Sequence, residues 1–145
     1  MRERITKVLK AINLYSDDAR ELIMGTFAQE SRFRYTKQIG GGPALGFCQM
    51  EPDTFNDIVI NYLNYKQELK ERIIKVTKSL CAADLENNIE LMVAMTRVHY
   101  LRIPEKLPDH NDIEAMGRYW KKYYNTHLGK GKVEEFVANY KRYCL

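Results

Sequence analysis

Apolar residues recur at three- and four-residue intervals along almost the whole chain, and the recurrence breaks decisively only once. Ile5, Val8, Leu9 and Ile12 fall on one helical face, so residues 3–14 read as a first amphipathic helix. Ser16 is placed to cap a second helix, with Asp17 and Asp18 in its first turn and Ala19, Leu22, Ile23 and Phe27 as its stripe. Glu30 lies three residues beyond Phe27, so that stripe ends in a carboxylate. The break comes between Arg34 and Met50. Gly40-Gly41-Gly42-Pro43 and then Gly46 put four glycines and a proline within seven residues, which no helix tolerates.

Helical spacing then resumes. Pro52 suits a first turn, with Phe55, Ile58, Val59, Tyr62 and Leu63 facing inward. Residues 66–78 continue with Leu69, Ile73 and Val76 on the inner face. Asp84 or Asn87 is placed to cap a helix carrying Leu85, Ile89, Met92, Val93 and Thr96. Another helix, capped near Asn111, carries Ile113, Met116, Trp120 and Tyr123, and a last one carries Val133, Phe136, Val137 and Tyr140. A short extended piece near Phe47 is the one departure from helix and loop. With no repeat, linker or low-complexity tract, the pattern predicts an all-α single domain over 1–145.

Composition narrows the function. At 45% hydrophobic and 29% charged residues the chain reads as globular, and no stretch reaches the roughly 20 apolar residues of a membrane span. The charged N-terminus, Met1-Arg2-Glu3-Arg4, lacks the pattern of a secretory signal, so synthesis in the cytoplasm is expected. Cys48, Cys81 and Cys144 are an odd set with no metal-ligand spacing, and the histidines are only His99, His110 and His127. Neither a disulfide framework, a metal site nor a cofactor is expected. Net charge is +4, and the late basic residues Arg118, Lys121, Lys122, Lys130, Lys132, Lys141 and Arg142 are interrupted by Glu134 and Glu135. That balance favours polyanionic surfaces without marking a specific nucleic-acid partner.

The chemistry concentrates in Phe27-Ala28-Gln29-Glu30-Ser31 and in Gly46-Phe47-Cys48-Gln49-Met50-Glu51-Pro52-Asp53-Thr54. A carboxylate at the end of an apolar stripe loses hydration and sits at the negative end of the helix dipole; both raise its pKa. A raised carboxyl pKa is what a general acid needs near neutral pH. The glycine-rich loop would let a bulky ligand approach the backbone; no P-loop Lys-Ser/Thr follows it, so phosphate cradling is not indicated.

The ordered set Glu30-Ser31, then Gly46-Phe47-Cys48-Gln49, then Pro52-Asp53-Thr54 resembles the soluble lytic transglycosylases and goose-type lysozymes. The resemblance implies a lysozyme-like helical domain with the glycine-rich loop lining the cleft. It implies Glu30 as catalytic acid and base, Gly46 and Gln49 at the substrate, and Ser31 supporting the Glu-bearing turn beside the ligand. A looser match lies in Asn88-Ile89, Tyr100-Leu101 and Tyr124-Asn125, so Tyr100, Tyr124 and Asn125 are further candidates for the substrate side. Tyr123 stands where the family has a small residue, and Phe47-Cys48 replaces the usual Leu-Met pair.

The implied reaction cleaves the glycosidic bond between N-acetylmuramic acid and N-acetylglucosamine in peptidoglycan, with one Glu closing an anhydro ring. A goose-type hydrolase would need water and a second carboxylate, for which Glu51, Asp53 and Asp57 are the candidates. Tyr62, Tyr65, Tyr123 and above all Trp120 are candidates to stack on sugar rings. The segment Trp120 to Thr126 resembles phage versions of the domain, which implies delivery to the bacterial wall by a virion or with a holin. A non-catalytic virion or structural protein on the same fold is the competing reading.

Overall fold

The computed structural model describes residues 1–125 and 129–145; Thr126 and His127 of the readings above lie outside them. Seven α-helices are described: α1 (Arg2–Ala11), α2 (Asp17–Ser31), α3 (Pro52–Asn61), α4 (Gln67–Thr77), α5 (Ile89–Leu101), α6 (Ile113–Trp120) and α7 (Val133–Cys144). Short 3-10 turns, Leu63–Tyr65 and Ala82–Glu86, bridge α3 to α4 and α4 to α5. A π-helical turn, Lys121–Asn125, extends α6.

Two helices are buried nearly all round and form the centre. In α2, every residue from Glu21 to Ala28 is buried; in α5, every residue from Leu91 to Val98. Helices whose middle turns are buried on every side lie inside a core, here with Glu21 and Arg97 as the charged exceptions. The amphipathic helices pack around them: α7 lies against α2 and α6, and α1 against α5 and α2. Close approach of α2 to α7 depends on Gly25, where a Cβ would stand 2.4 Å from Phe136 Cζ. One contiguous core runs from Ile5 to Cys144, including Phe27, Phe55, Trp120 and Phe136.

The all-helical expectation holds, and several boundaries move. The first helix ends at Ala11 rather than Leu14, because Asn13 turns to positive φ. Ser16 caps α2 as its position predicts, its Oγ accepting from Ala19 N at 3.0 Å. The α5 cap is Asn88 rather than Asp84 or Asn87: its Oδ1 accepts from Leu91 N at 3.0 Å. Asp112, not Asn111, caps α6. Around Phe47 the chain is a turn, not an extended piece. The only strand-like pairings among the described residues are isolated ones, Lys37 with Leu45 and Leu45 with Met50. No described helix is long and apolar enough to cross a membrane.

Candidate active site

Glu30 occupies the last turn of α2, and Ser31 is its final residue. Arg32 and Phe33 then both take left-handed backbone (φ 56°), which turns the chain sharply off the helix. Ser31 Oγ donates to Phe27 O at 3.0 Å and is buried. Ser31 therefore secures the turn and cannot itself meet a ligand.

The glycine-rich stretch closes as a tight hairpin. Leu45 and Met50 exchange both backbone hydrogen bonds at 3.0 Å, leaving Gly46-Phe47-Cys48-Gln49 as the loop. Gly46 sits at φ 76°, and a Cβ there would stand 2.7 Å from Leu85 O, so glycine is required twice over. Gln49 also has positive φ, and its Nε2 donates back to Gly46 O at 2.9 Å. The donor side of the Gln49 amide is thus spent on the hairpin, leaving Oε1 for any ligand. Phe47 packs against Phe27 and Phe33, ring centroids 6.2 and 6.4 Å away, which fixes the hairpin over the end of α2.

The Glu30 carboxyl meets the end of α6 and lies close enough to this hairpin for its charge to act on Cys48. Trp120 Nε1 donates to Glu30 Oε2 at 3.0 Å. Burial pushes the Glu30 carboxyl up to about 7, against the opposing pull of the indole N–H. Glu30 nevertheless keeps partial exposure. Its charge in turn acts on the Cys48 thiol and on the Tyr100 and Tyr124 phenols, all raised chiefly by burial; the Cys48 thiol reaches about 11. The two segments singled out in the sequence are therefore brought together.

The tyrosines stand behind the carboxyl. Tyr100 is buried and shares a 2.8 Å hydrogen bond with Thr26 Oγ1, which donates to Leu22 O at 2.7 Å. With the threonine proton so engaged, Tyr100 is the donor, and it has no free edge for a ligand. Tyr124 donates to Cys48 O, tying the π-helical turn to the hairpin loop. His99 Nε2 meets Tyr123 O at 3.1 Å, and its ring packs edge-on against Tyr124 at 4.8 Å. Thr96 faces Cys48 and Tyr124, fully buried, with no hydrogen bond of normal geometry. Asn125 is held elsewhere, its Oδ1 accepting from Lys121 Nζ at 2.7 Å.

Trp120 is the largest revision. It is 0% exposed and stacked on Phe136, so it cannot lie on a sugar ring; it holds the carboxyl instead. Donor-only tryptophan in a core needs an acceptor, and that requirement is the signal that points from Trp120 to a buried acid. Tyr123 stacks on Tyr119 (4.7 Å), while Tyr62 lies under Lys66 and Arg102. Asp57 is drawn below the usual carboxylate range by Arg102 and Asn61, which it binds at 2.8 and 2.6 Å. Glu51 and Asp53 are exposed at the start of α3. Three of the late basic residues have partners: Arg118 with Glu114, Lys122 with Glu105, and Lys121 with Asn125 and the Gly129 carbonyl.

Comparison with protein-family models, curated proteins and solved structures gives no match to this chain. The site itself defines a chemical class: one carboxyl, poised near neutrality, held on one oxygen by a neutral donor.

Proposed function

We propose that this protein cleaves glycosidic bonds of peptidoglycan on a lysozyme-like helical fold, with Glu30 as general acid and then base. The observation that carries the reading is the Glu30 carboxyl, buried enough to titrate at about 7 and bonded through Oε2 to Trp120. Tryptophan can only donate, so in the neutral acid Oε2 is the carbonyl oxygen and the proton resides on Oε1. That proton protonates the glycosidic oxygen as the bond breaks. The resulting carboxylate accepts a proton from the nucleophile, either the muramic 6-hydroxyl or water. The ordered motif and this carboxyl support the reading.

A single-carboxyl transglycosylase route is preferred over hydrolysis. Of the three candidate partners, Asp57 is committed to Arg102 and Asn61. A second reading, a non-catalytic wall or virion protein on the same fold, is favoured by one feature: five open grooves among the described residues are lined by residues other than Glu30 and Gln49. Mass spectrometry of purified peptidoglycan digested with wild type and Glu30→Gln decides between them. Anhydro-muropeptides from wild type alone support the proposal, and reducing-end products move it to a hydrolase. No products from several wall types, with folded protein, select the non-catalytic reading.

A further inference from the structure

Arg97 lies in the middle of α5, away from Glu30, and is only 9% exposed. Its Nε donates to Leu14 O at 3.1 Å, in the turn between α1 and α2. That is the one hydrogen bond it makes among the described residues. The guanidinium has four further N–H donors. Neither terminal nitrogen is sealed from solvent, because Thr96 Oγ1 is the only fully enclosed polar side-chain atom left without a partner among the described residues. The fork of Arg97 therefore keeps a small exposed edge and has no partner besides Leu14 O among the described residues.

No acid compensates this cation. Among the described residues no carboxylate lies within ion-pairing distance of Arg97. The ionisable groups whose field reaches it are the phenols of Tyr119 and Tyr62, and phenols are neutral at pH 7. Tyr119 is pushed further, to about 12, chiefly by burial, and its hydroxyl donates to Glu105 O at 2.9 Å. Burying an uncompensated charge is costly. A single carbonyl tie to Leu14 needs only a neutral donor, so it does not account for a planar, permanently charged fork.

We propose that Arg97 is the centre of an oxyanion-binding site, which takes a carboxylate or phosphate group of a ligand in the bidentate geometry that guanidinium matches. The site lies where the α1–α2 turn, the chain after α3 and α6 converge, and it stands independently of the Glu30 reading. The test is thermal unfolding of the full chain at constant ionic strength, with chloride replaced stepwise by inorganic phosphate or by acetate. Wild type is expected to gain a saturable rise in Tm, roughly 5 °C when the anion exceeds its dissociation constant tenfold. Arg97→Met is expected to lose that rise and, in chloride alone, to melt at or above wild type, because it no longer buries a bare charge. Arg97→Lys keeps the charge without the fork and is expected to retain only a weakened response, which covers the case in which the Met variant does not fold. An equal rise in wild type and Arg97→Lys would overturn the proposal as a general anion effect. So would no response of wild type to either anion, which would leave Arg97 as a structural tie to Leu14.

Discussion

Glu30 and Trp120 stand ninety positions apart in the chain and share one hydrogen bond, and three predictions turn on this pair. Burial raises the folded-state pKa of Glu30 from an ordinary 4.5 to about 7, so the folded protein holds the proton more tightly than the unfolded chain between those values. Stability therefore falls as pH rises through that window. Below it both states carry the proton; above it the fold contains a buried carboxylate with Trp120 as its side-chain donor, and the full cost, about 3 kcal/mol, applies. Glu30→Gln is expected to match wild type near pH 4 and to be more stable by about that amount at pH 8, while losing cleavage. Denaturant unfolding at the two pH values checks this, and equal stability at both would remove the raised pKa. Trp120 is the chain's single tryptophan, so its fluorescence reads the same proton without any substrate. Emission is expected to change with a midpoint near pH 7 in wild type and to stay flat in Glu30→Gln. Trp120→Phe removes the one donor that favours the carboxylate, so the alkaline limb of the activity profile is expected to move to higher pH.

At the scale of elements, what the sequence conveyed depended on how local the cause was. Each helix announced itself through its stripe, because burial of one face is written at three- and four-residue spacing. Caps were placed early, at Asp84 or Asn87 for α5 and near Asn111 for α6, since Asn87 and Asn88, or Asn111 and Asp112, are chemically alike and only backbone geometry selects which side chain reaches the N–H. The association of Glu30 with the Gly46–Gln49 segment was legible from ordered motifs. The role of Trp120 was not, because a helical stripe says that a side chain is buried and not what its polar atom meets. The hairpin was missed for a related reason: two backbone bonds between Leu45 and Met50 leave no alternating pattern. Its weak point is Gly46. Gly46→Ala forces a Cβ into left-handed backbone and against Leu85 O at 2.7 Å, and a loss of about 2–3 kcal/mol is expected. Because the hairpin carries Cys48 O, the acceptor of Tyr124, activity is expected to fall along with stability. A Gly46→Ala protein with wild-type unfolding midpoint would show that the hairpin relaxes freely and does not brace the site.

Across the whole molecule, the two ends of the chain are joined at a second carboxyl of α2. Glu21 is buried and receives Arg2 through both oxygens at 2.7 and 2.9 Å, Arg20 Nε at 2.7 Å and the Tyr140 hydroxyl at 2.7 Å. Arg2 also donates to Cys144 O at 2.7 Å, so one acid links α1, α2 and the last turn of α7. Burial alone would raise the Glu21 pKa, but hydrogen bonds from Arg2, Tyr140 and Arg20 outweigh it and bring it down to about 2. The sign is opposite to that of Glu30. The unfolded chain takes up the proton first, so the contribution is complete above pH 4.5 and disappears as pH falls towards 2. Its size is about 3 kcal/mol. Glu21→Gln leaves two guanidinium groups facing a neutral amide, and is expected to lose about that much stability at pH 7 and progressively less as the pH approaches 2. Added salt should change the pH 7 difference little, because the Glu21 carboxylate is shielded from solvent. Glu21 and Glu30 lie about 14 Å apart along the same helix, yet neutralising one should weaken the fold at pH 7 while neutralising the other should strengthen it. Unfolding midpoints of the two Gln variants at pH 7 compare them directly. Midpoints shifted in the same direction would mean that α2 does not hold its two carboxyls in opposite charge states.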